Sequence, residues 1–532
     1  MSAGAESLTL DQAVWRPKAN PWLIGVVVSL AAFMEVLDTS IANVALPHIA
    51  GDLGASNDQS TWVLTTYLVS NAIVLPISGW LVGLFGRKRF FLTCIVIFTI
   101  SSFLCAIAPS LGMLLIFRIL QGAGGGGLQP MAQAILADTF PPQQRGLAFA
   151  LYGVTAVCAP AIGPTLGGWI TDNYSWRWIF YINIPVGLVA LLLVYTLVED
   201  PPYMARLRAM GRAAFDYVGF SLLVLGVGAL QIMLDKGQED DWFGSHFITT
   251  LAVTAAVCLT ALVIWEWFQK QPIIDIRLFK TFNFASASVM FFILGILLFG
   301  GTVALPQFLQ TLMGYTAETA GFVLSGGAIV ILLTLPLVGR LTTIVQARYL
   351  IAFGWLALAL GMYASSQRTD LLISFRAASW LRIMQAAPLA FLFVPINLAG
   401  YVGIPAEKNN AAAGIVNFMR NMGQSVGTSF VTTLVARRSQ YHQSVLAEHS
   451  DSPLFQNALN SLANRLMETG LSAHQAQQQA LARLYANLQR QAAALSYIDL
   501  YFLLAIAAAV MFCLSFLLKR NNPGHGGAVA AH

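Results

Sequence analysis

The chain has 532 residues, 57% of them hydrophobic and only 10% charged, where a soluble domain carries about 25% charged residues. That composition excludes a soluble globule: apolar runs recur from end to end, each long enough to cross about 30 Å of hydrocarbon at about 1.5 Å per residue. A formal net charge of +5 in such a chain sets orientation in the bilayer and does not point to nucleic acid.

Residues 1–21 are polar and include Arg16, Pro17 and Lys18. No small-residue cleavage site follows the first apolar run, so that run is expected to be kept as a span. Neither terminus shows a lipidation or retention motif. Charged, Gly and Pro punctuation places six spans near 22–46, 60–84, 90–108, 111–137, 146–170 and 178–198. Further spans fall near 215–235, 246–268, 284–312, 318–342, 347–366, 376–403, 407–436 and 497–518. The expected fold is an all-α membrane protein of fourteen transmembrane helices. Its expected segments are a tail 1–21, a six-helix half 22–198, an inserted pair 199–281, a second half 282–518 and a tail 519–532.

Placing the N-terminus in the cytoplasm puts Arg87, Lys88, Arg89, Arg145, Arg206, Arg208, Arg212, Lys270, Arg277, Lys280, Arg340, Arg348 and Lys408 in inside loops. Arg16, Lys18, Lys519 and Arg520 join them from the tails, while the short outside loops hold only Arg177, Lys236, Arg368 and Arg376. The positive-inside rule therefore predicts both termini in the cytoplasm. Residues 437–496 form one long polar outside loop, rich in Gln and Ala, with helix-forming runs such as 476–490. The five cysteines, Cys94, Cys105, Cys158, Cys258 and Cys513, sit in apolar segments without a CxxC pair, and are expected to be small buried hydrophobes with no disulfide or metal.

An internal repeat is visible. Leu75, Pro76, Gly79 and Leu81 recur as Leu335, Pro336, Gly339 and Leu341, and Arg118, Ile119 and Gln121 recur as Arg382, Ile383 and Gln385. Each match carries a span onto the span eight later, which predicts two homologous six-helix blocks of the same orientation separated by the inserted pair.

Four segments carry the chemistry. Span 1 holds Glu35 and Asp38 three residues apart on one helical face, where burial favours the protonated acid; the alternative is that they serve as partners for an intramembrane Arg. Span 4 holds Arg118, whose cost in hydrocarbon, about 2.5 to 3.5 kcal/mol, demands a cavity or a carboxylate. The turn after span 2 runs from Gly79 to Gly86, Arg87, Lys88 and Arg89, with a basic anchor as the alternative to a moving contact. Span 5 is dense in Gly and Pro, including Gly163, Pro164, Gly167 and Gly168, which suits bending or close packing. Asn43, Tyr67, Asn71, Gln129, Gln133, Gln307, Asn397 and Asn417 are polar residues in apolar spans, fit either to line a cavity or to bond between helices at about 0.6 kcal/mol each. Arg382 and Arg420 join them, and three intramembrane arginines against two carboxylates leave an anionic substrate open.

These segments resemble motifs of the major facilitator superfamily. The turn is similar to its cytoplasmic loop motif, except that the usual Asp falls at Gly83, so the gating role of that Asp does not carry over. The resemblance implies proton transfer for Arg118, exporter character for the Gly163-Pro164 and Gly167-Gly168 pairs, and an acidic coupling position at Asp38. The 35–47 stretch closely resembles the first span of the fourteen-span drug:proton antiporters. Trp176 to Pro185, Phe215 to Gly219, Leu230 to Trp242, Leu305 to Gln307 and Ala320-Gly321 extend the likeness. The polar loop and the tail ending at His532 resemble inner-membrane pumps that work with a periplasmic adaptor and an outer-membrane channel.

The expectation is thus a proton-driven exporter of lipophilic compounds in the inner membrane, with Asp38 as main proton carrier and Glu35 and Arg118 beside it. A dedicated exporter of one metabolite, such as a siderophore or fatty acid, is the alternative within the class; a receptor or scaffold that has lost transport lies outside it. No phosphate loop, HExxH or CxxC pattern is present, so neither ATP, a metal nor a cofactor is expected, and no enzyme site is visible.

Overall fold

A computed structural model describes residues 17–141, 143–201, 216–448 and 452–518. Arg16, Arg206, Arg208, Arg212, Phe215, Lys519, Arg520 and His532 lie outside the described residues.

The first half comprises α1 (Pro21–Asp52), α2 (Asn57–Phe85), α3 (Arg87–Ala106), α4 (Leu111–Gly125), α5 (Leu128–Thr139), α6 (Arg145–Asn173), α7 (Trp178–Tyr181) and α8 (Asn183–Leu197). α4 and α5 are two parts of one span, interrupted at Gly126-Gly127, and α6 bends by 44° between Pro160 and Ile162, where Pro160 and Pro164 each remove a backbone donor. The inserted pair is α9 (Tyr217–Lys236) and α10 (His246–Phe268). The second half comprises α11 (Phe282–Thr311), α12 (Ala317–Leu341), α13 (Ala347–Arg368), α14 (Phe375–Gly400), α15 (Asn409–Ala447), α16 (Pro453–Glu468) and α17 (Ala473–Ser515). Helices that start at the end away from the basic clusters open on Ser56, Ser110 and Ser374, whose hydroxyls accept the backbone N–H three residues on.

Twelve of the described helices are long and apolar enough to cross a bilayer, and the bent α6 makes a thirteenth. α15 has the length but carries Asn409, Asn410, Asn417, Arg420, Asn421 and Gln424. Its polarity is tolerated because it packs against α11, α17 and α2, where protein groups receive those side chains. Helix pairings repeat between the halves. α1 on α6 corresponds to α11 on α15, α3 on α4 to α13 on α14, and α3 on α8 to α13 on α17. The halves meet along α6 with α12 and α2 with α15.

One expectation is extended and one needs correction. In residues 437–496 helix reaches well beyond the expected run at 476–490. α15 and α17 run on past the apolar zone side by side, and α16 packs against α17, where Leu459, Ala463 and Leu466 meet Ala476 and Ala480. Alanine and glutamine favour helix strongly enough to continue the spans. At the base of this hairpin Asp499 accepts from His442 at 2.8 Å and pairs with Arg438 at 3.3 Å. The cysteines also divide: Cys94, Cys105 and Cys158 are buried, Cys258 is half-buried and Cys513 is exposed. An apolar residue in a span can satisfy itself against lipid as well as against protein, so apolar context did not imply burial.

The inserted pair is tied to both halves. Thr65 of α2 bonds Asp235, and Lys236 Nζ donates to the Asp58 carbonyl at 3.1 Å. On the other side Trp242 Nε1 donates to Thr433 at 3.1 Å, and Asp275 pairs with Lys408 at 2.6 Å.

Candidate functional site

Glu35 and Asp38 lie one turn apart on α1 and are 3% and 2% exposed, yet they belong to different surroundings. Asp38 Oδ2 receives Arg118 Nη1 at 2.7 Å, and Oδ1 receives Asn183 Nδ2 at 2.7 Å and Gln121 Nε2 at 3.0 Å. Arg118 also donates through Nε to the Val63 carbonyl at 3.0 Å and to Gln121 at 2.7 Å. Its guanidinium lies 4.4 Å from the Tyr67 ring centroid, a favourable cation–π placement. The result is a buried ion pair inside the first half with neutral amides closing it. Removing one member of such a pair costs about 3 to 5 kcal/mol because the other is stranded.

Among the described residues, Glu35 has no cation in hydrogen-bond contact. Its Oε1 accepts from Asn71 at 3.0 Å and Tyr67 at 3.1 Å, and its Oε2 accepts from Gln129 Nε2 at 2.5 Å. Gln129 in turn accepts from Arg420 of the second half and from Tyr152 at 3.1 Å. Glu35 is therefore one side chain away from the opposite half. A proton arriving at Asp38 must displace an arginine, whereas a proton arriving at Glu35 displaces only neutral donors.

From Gln129 a seam of amides crosses between the halves. Asn417 donates to Gln133 at 2.7 Å and accepts from Tyr152 at 3.3 Å, Gln133 donates to Asn397 at 3.3 Å, and Asn421 donates to Asn71 at 3.3 Å. Six of the polar residues anticipated as cavity lining, Tyr67, Asn71, Gln129, Gln133, Asn397 and Asn417, are thus brought together, with Arg420. Asn43 is exposed and Gln307 half-buried, and both stand outside this network. Arg382 is buried elsewhere in the second half.

The turn motif closes the basic end of the bundle. Gly86, at φ +85°, adopts a conformation open to glycine and joins α2 to α3. Arg87 Nη1 pairs with Asp138 at 2.5 Å, and Asn409 of the second half donates to the same carboxylate at 2.8 Å. Lys88 reaches Asp200 through its backbone N–H at 2.8 Å and the Tyr195 carbonyl through Nζ at 2.6 Å. At Gly83 a Cβ would meet open space, while at Gly79 it would fall 2.6 Å from the Ala411 backbone. Gly79→Val is therefore expected to hold this end open, with an overpacking cost of about 1 to 3 kcal/mol; cysteines placed at Ser78 and Gly414 should cross-link less readily in that variant than without it. In α6, Gly163 and Gly167 lie against Ser40 and Ile41 of α1, Gly168 is buried, and Pro164 stands within the helix.

Sequence reasoning did not assign a site role to Asn183 or Gln121, although both lay inside quoted motifs, and it missed Tyr152, Asp138 and Asn409. Only the last pair left a signal, a carboxylate and an amide flanking spans at the basic end.

The Major Facilitator Superfamily profile matches residues 28–428. The chain belongs to that superfamily. Within it, the multidrug export protein EmrB of Haemophilus influenzae is 40% identical over 461 residues, covering 86% of this chain and 89% of its own. EmrB of Escherichia coli (strain K12) is 37% identical over 510 residues, 96% of this chain and 98% of its own. The fatty acid resistance protein FarB of Neisseria gonorrhoeae is 40% identical over 448 residues, 84% and 86%. Solved superfamily structures share the fold: a double Trp mutant of XylE matches with a TM-score of 0.60 at 14% identity over 95% of this chain and 97% of its own. The human organic anion transporter MFSD10 matches with 0.57 at 12% identity over 92% and 100%.

Proposed function

We propose that this superfamily member exports lipophilic compounds across the inner membrane in exchange for protons, and that Glu35 is the group that takes and gives up the proton. The observation that carries the reading is Glu35 itself, a buried carboxylate bonded only to neutral donors and linked through Gln129 to Arg420 of the other half. Sequence alone favoured Asp38, but the Arg118 ion pair suits Asp38 to anchoring the site, with Tyr67 joining the two carboxylates through its ring and its hydroxyl. Protonating Glu35 removes the charge that holds Gln129, Asn71 and Tyr67. Gln129 and Arg420 then lose their common orientation, which loosens the seam between the halves and permits alternating access. The similarity to EmrB proteins over nearly the whole chain supports multidrug export.

Transport assays in proteoliposomes test this reading. An imposed pH gradient should drive accumulation of a lipophilic dye such as ethidium, and addition of dye to the purified protein should release protons. Absence of both overturns it. A second reading, export of one lipophilic acid, is favoured by Arg420, whose Nε and Nη1 are buried without a partner, and by the similarity to FarB; comparing drug and metabolite accumulation in cells with and without the protein separates the two.

The proposed orientation puts Arg87, Arg340 and Lys408 in the cytoplasm with both termini, and the α15–α17 hairpin in the periplasm. An impermeant thiol reagent should then modify a cysteine at Asn457 in intact cells and spare one at Arg89. The reverse pattern would reverse the orientation. The hairpin is the proposed dock for a periplasmic adaptor, which would connect the pump to an outer-membrane channel.

A further inference from the structure

The second half repeats the framework of the Asp38–Arg118 site without its acid. Arg382 follows Arg118 by 264 positions, and Thr302 follows Asp38 by the same interval. Arg382 Nη2 donates to Thr302 Oγ1 at 3.1 Å, where Arg118 meets a carboxylate. Gln385 follows Gln121 by the same interval, and each donates to a serine of a neighbouring helix, Ser365 at 2.8 Å and Ser102 at 2.9 Å.

Arg382 is 4% exposed, and among the described residues it has no carboxylate partner. Its Nε faces the bare backbone of Gly327 on α12, where a Cβ would come within 3.3 Å, and has no hydrogen bond. The nearby Tyr501 hydroxyl makes no hydrogen bond of normal geometry, although the Gln385 side chain, whose Oε1 is likewise unpartnered, stands against it. A buried cation without a counter-ion costs several kcal/mol. Arg382 lies seven residues into α14 from the end opposite the basic clusters, about 10 Å along the helix, so it stands on the side from which cargo would leave.

We propose that Arg382, with Thr302 and Tyr501, forms an anion subsite that receives a carboxylate of the transported molecule. The incoming carboxylate takes the place that Asp38 fills in the first half: it accepts from Arg382 through charge-assisted bonds and from the Tyr501 hydroxyl. This rests on the export reading above and names one class of cargo within it, lipophilic carboxylic acids.

The test uses the full chain in nanodiscs, titrated with the fluorescent fatty acid cis-parinaric acid and with its methyl ester, which has similar lipophilicity and no charge. The wild-type protein should prefer the acid. In Arg382→Gln the acid-to-ester affinity ratio should fall about tenfold or more, the loss of at least one charge-assisted bond. Thr302→Asp guards against misfolding, because it gives Arg382 the partner that Asp38 gives Arg118; it should raise the melting temperature and still abolish the preference. An unchanged ratio in both variants overturns the subsite. So does chloride, titrated against sulfate at constant ionic strength, if it stabilises wild type but not Thr302→Asp while the acid fails to compete with it, since the site then holds a resident halide. If wild-type proteoliposomes move no lipophilic compound under a pH gradient, the export reading fails, and the nanodisc titration still decides the subsite.

Discussion

Glu35→Gln is expected to abolish substrate-triggered proton release and pH-gradient-driven transport while leaving the protein folded. Glutamine keeps the length of the side chain and an acceptor oxygen for Tyr67 or Asn71, and no cation in direct contact is stranded by the lost charge. The variant is fixed in a form like the protonated one, so it has no proton to exchange, and cargo, whose binding expels that proton from the wild type, should bind it more weakly. Asp38→Asn should behave differently. It strands Arg118, whose one carboxylate contact among the described residues is Asp38, and should lower stability by about 3 to 5 kcal/mol. Adding Arg118→Gln to Asp38→Asn should restore much of the melting temperature, because two amides can bond where an ion pair stood. A pH-sensitive dye in weakly buffered solution reads proton release, and thermal melts read stability. Normal proton release by Glu35→Gln, with loss of it in a folded Asp38→Asn, would return the carrier role to Asp38.

Shortening residues 445–490 should abolish drug resistance in whole cells and leave pH-driven transport in vesicles intact. The cut removes α16 and the outer turns of α17 but spares the His442–Asp499 and Arg438–Asp499 staple at the base, so the two spans stay aligned. The five small or medium apolar residues of the α16–α17 core pack on one another, and the cut also removes the Arg490 bond to the Leu312 carbonyl at 2.7 Å and the Gln443 bond to Tyr485 at 2.6 Å. Leu454, Leu481 and Tyr485 are exposed on this projection, 83%, 51% and 47%, as a surface for a partner would be. Whole-cell resistance equal to that of the intact protein would remove the docking role.

Much of this architecture could be read from the chain because a bilayer is an unforgiving solvent. Any apolar run of about 20 residues must be a helix, and Arg118 inside one had to find an acid, which proved to be Asp38. The repeat at Arg118 and Arg382 gave the two halves. What could not be read was the third dimension of polar contacts. Glu35 and Asp38 share a helix face, and nothing in their spacing says that one would look towards Arg118 and Asn183 within its own half and the other towards Gln129 and the opposite half. α15 was placed near 407–436 from the sequence, but not the packing against α2 and α11 that receives its polar side chains. The helix-forming runs of 437–496 were legible in its glutamine and alanine, but not how far α15 and α17 extend through it.

The seam also records where the chain came from. Gln133 touches Asn397, its counterpart 264 positions on, and Tyr152 touches Asn417, the neighbour of its counterpart Val416, so the seam joins residues at or beside their own counterparts in the repeat. In a two-fold arrangement only residues beside the rotation axis can do that, which fixes the axis through these amides. It also makes the contact isologous, the kind two identical subunits form with each other. Asparagine and glutamine suit such a meeting because each is donor and acceptor at once and can bond to its own image, whereas a like charge would repel itself. The contact therefore has the form of a homodimer interface within a single polypeptide whose two sides differ: one has an aspartate opposite its buried arginine, and the other has a threonine there.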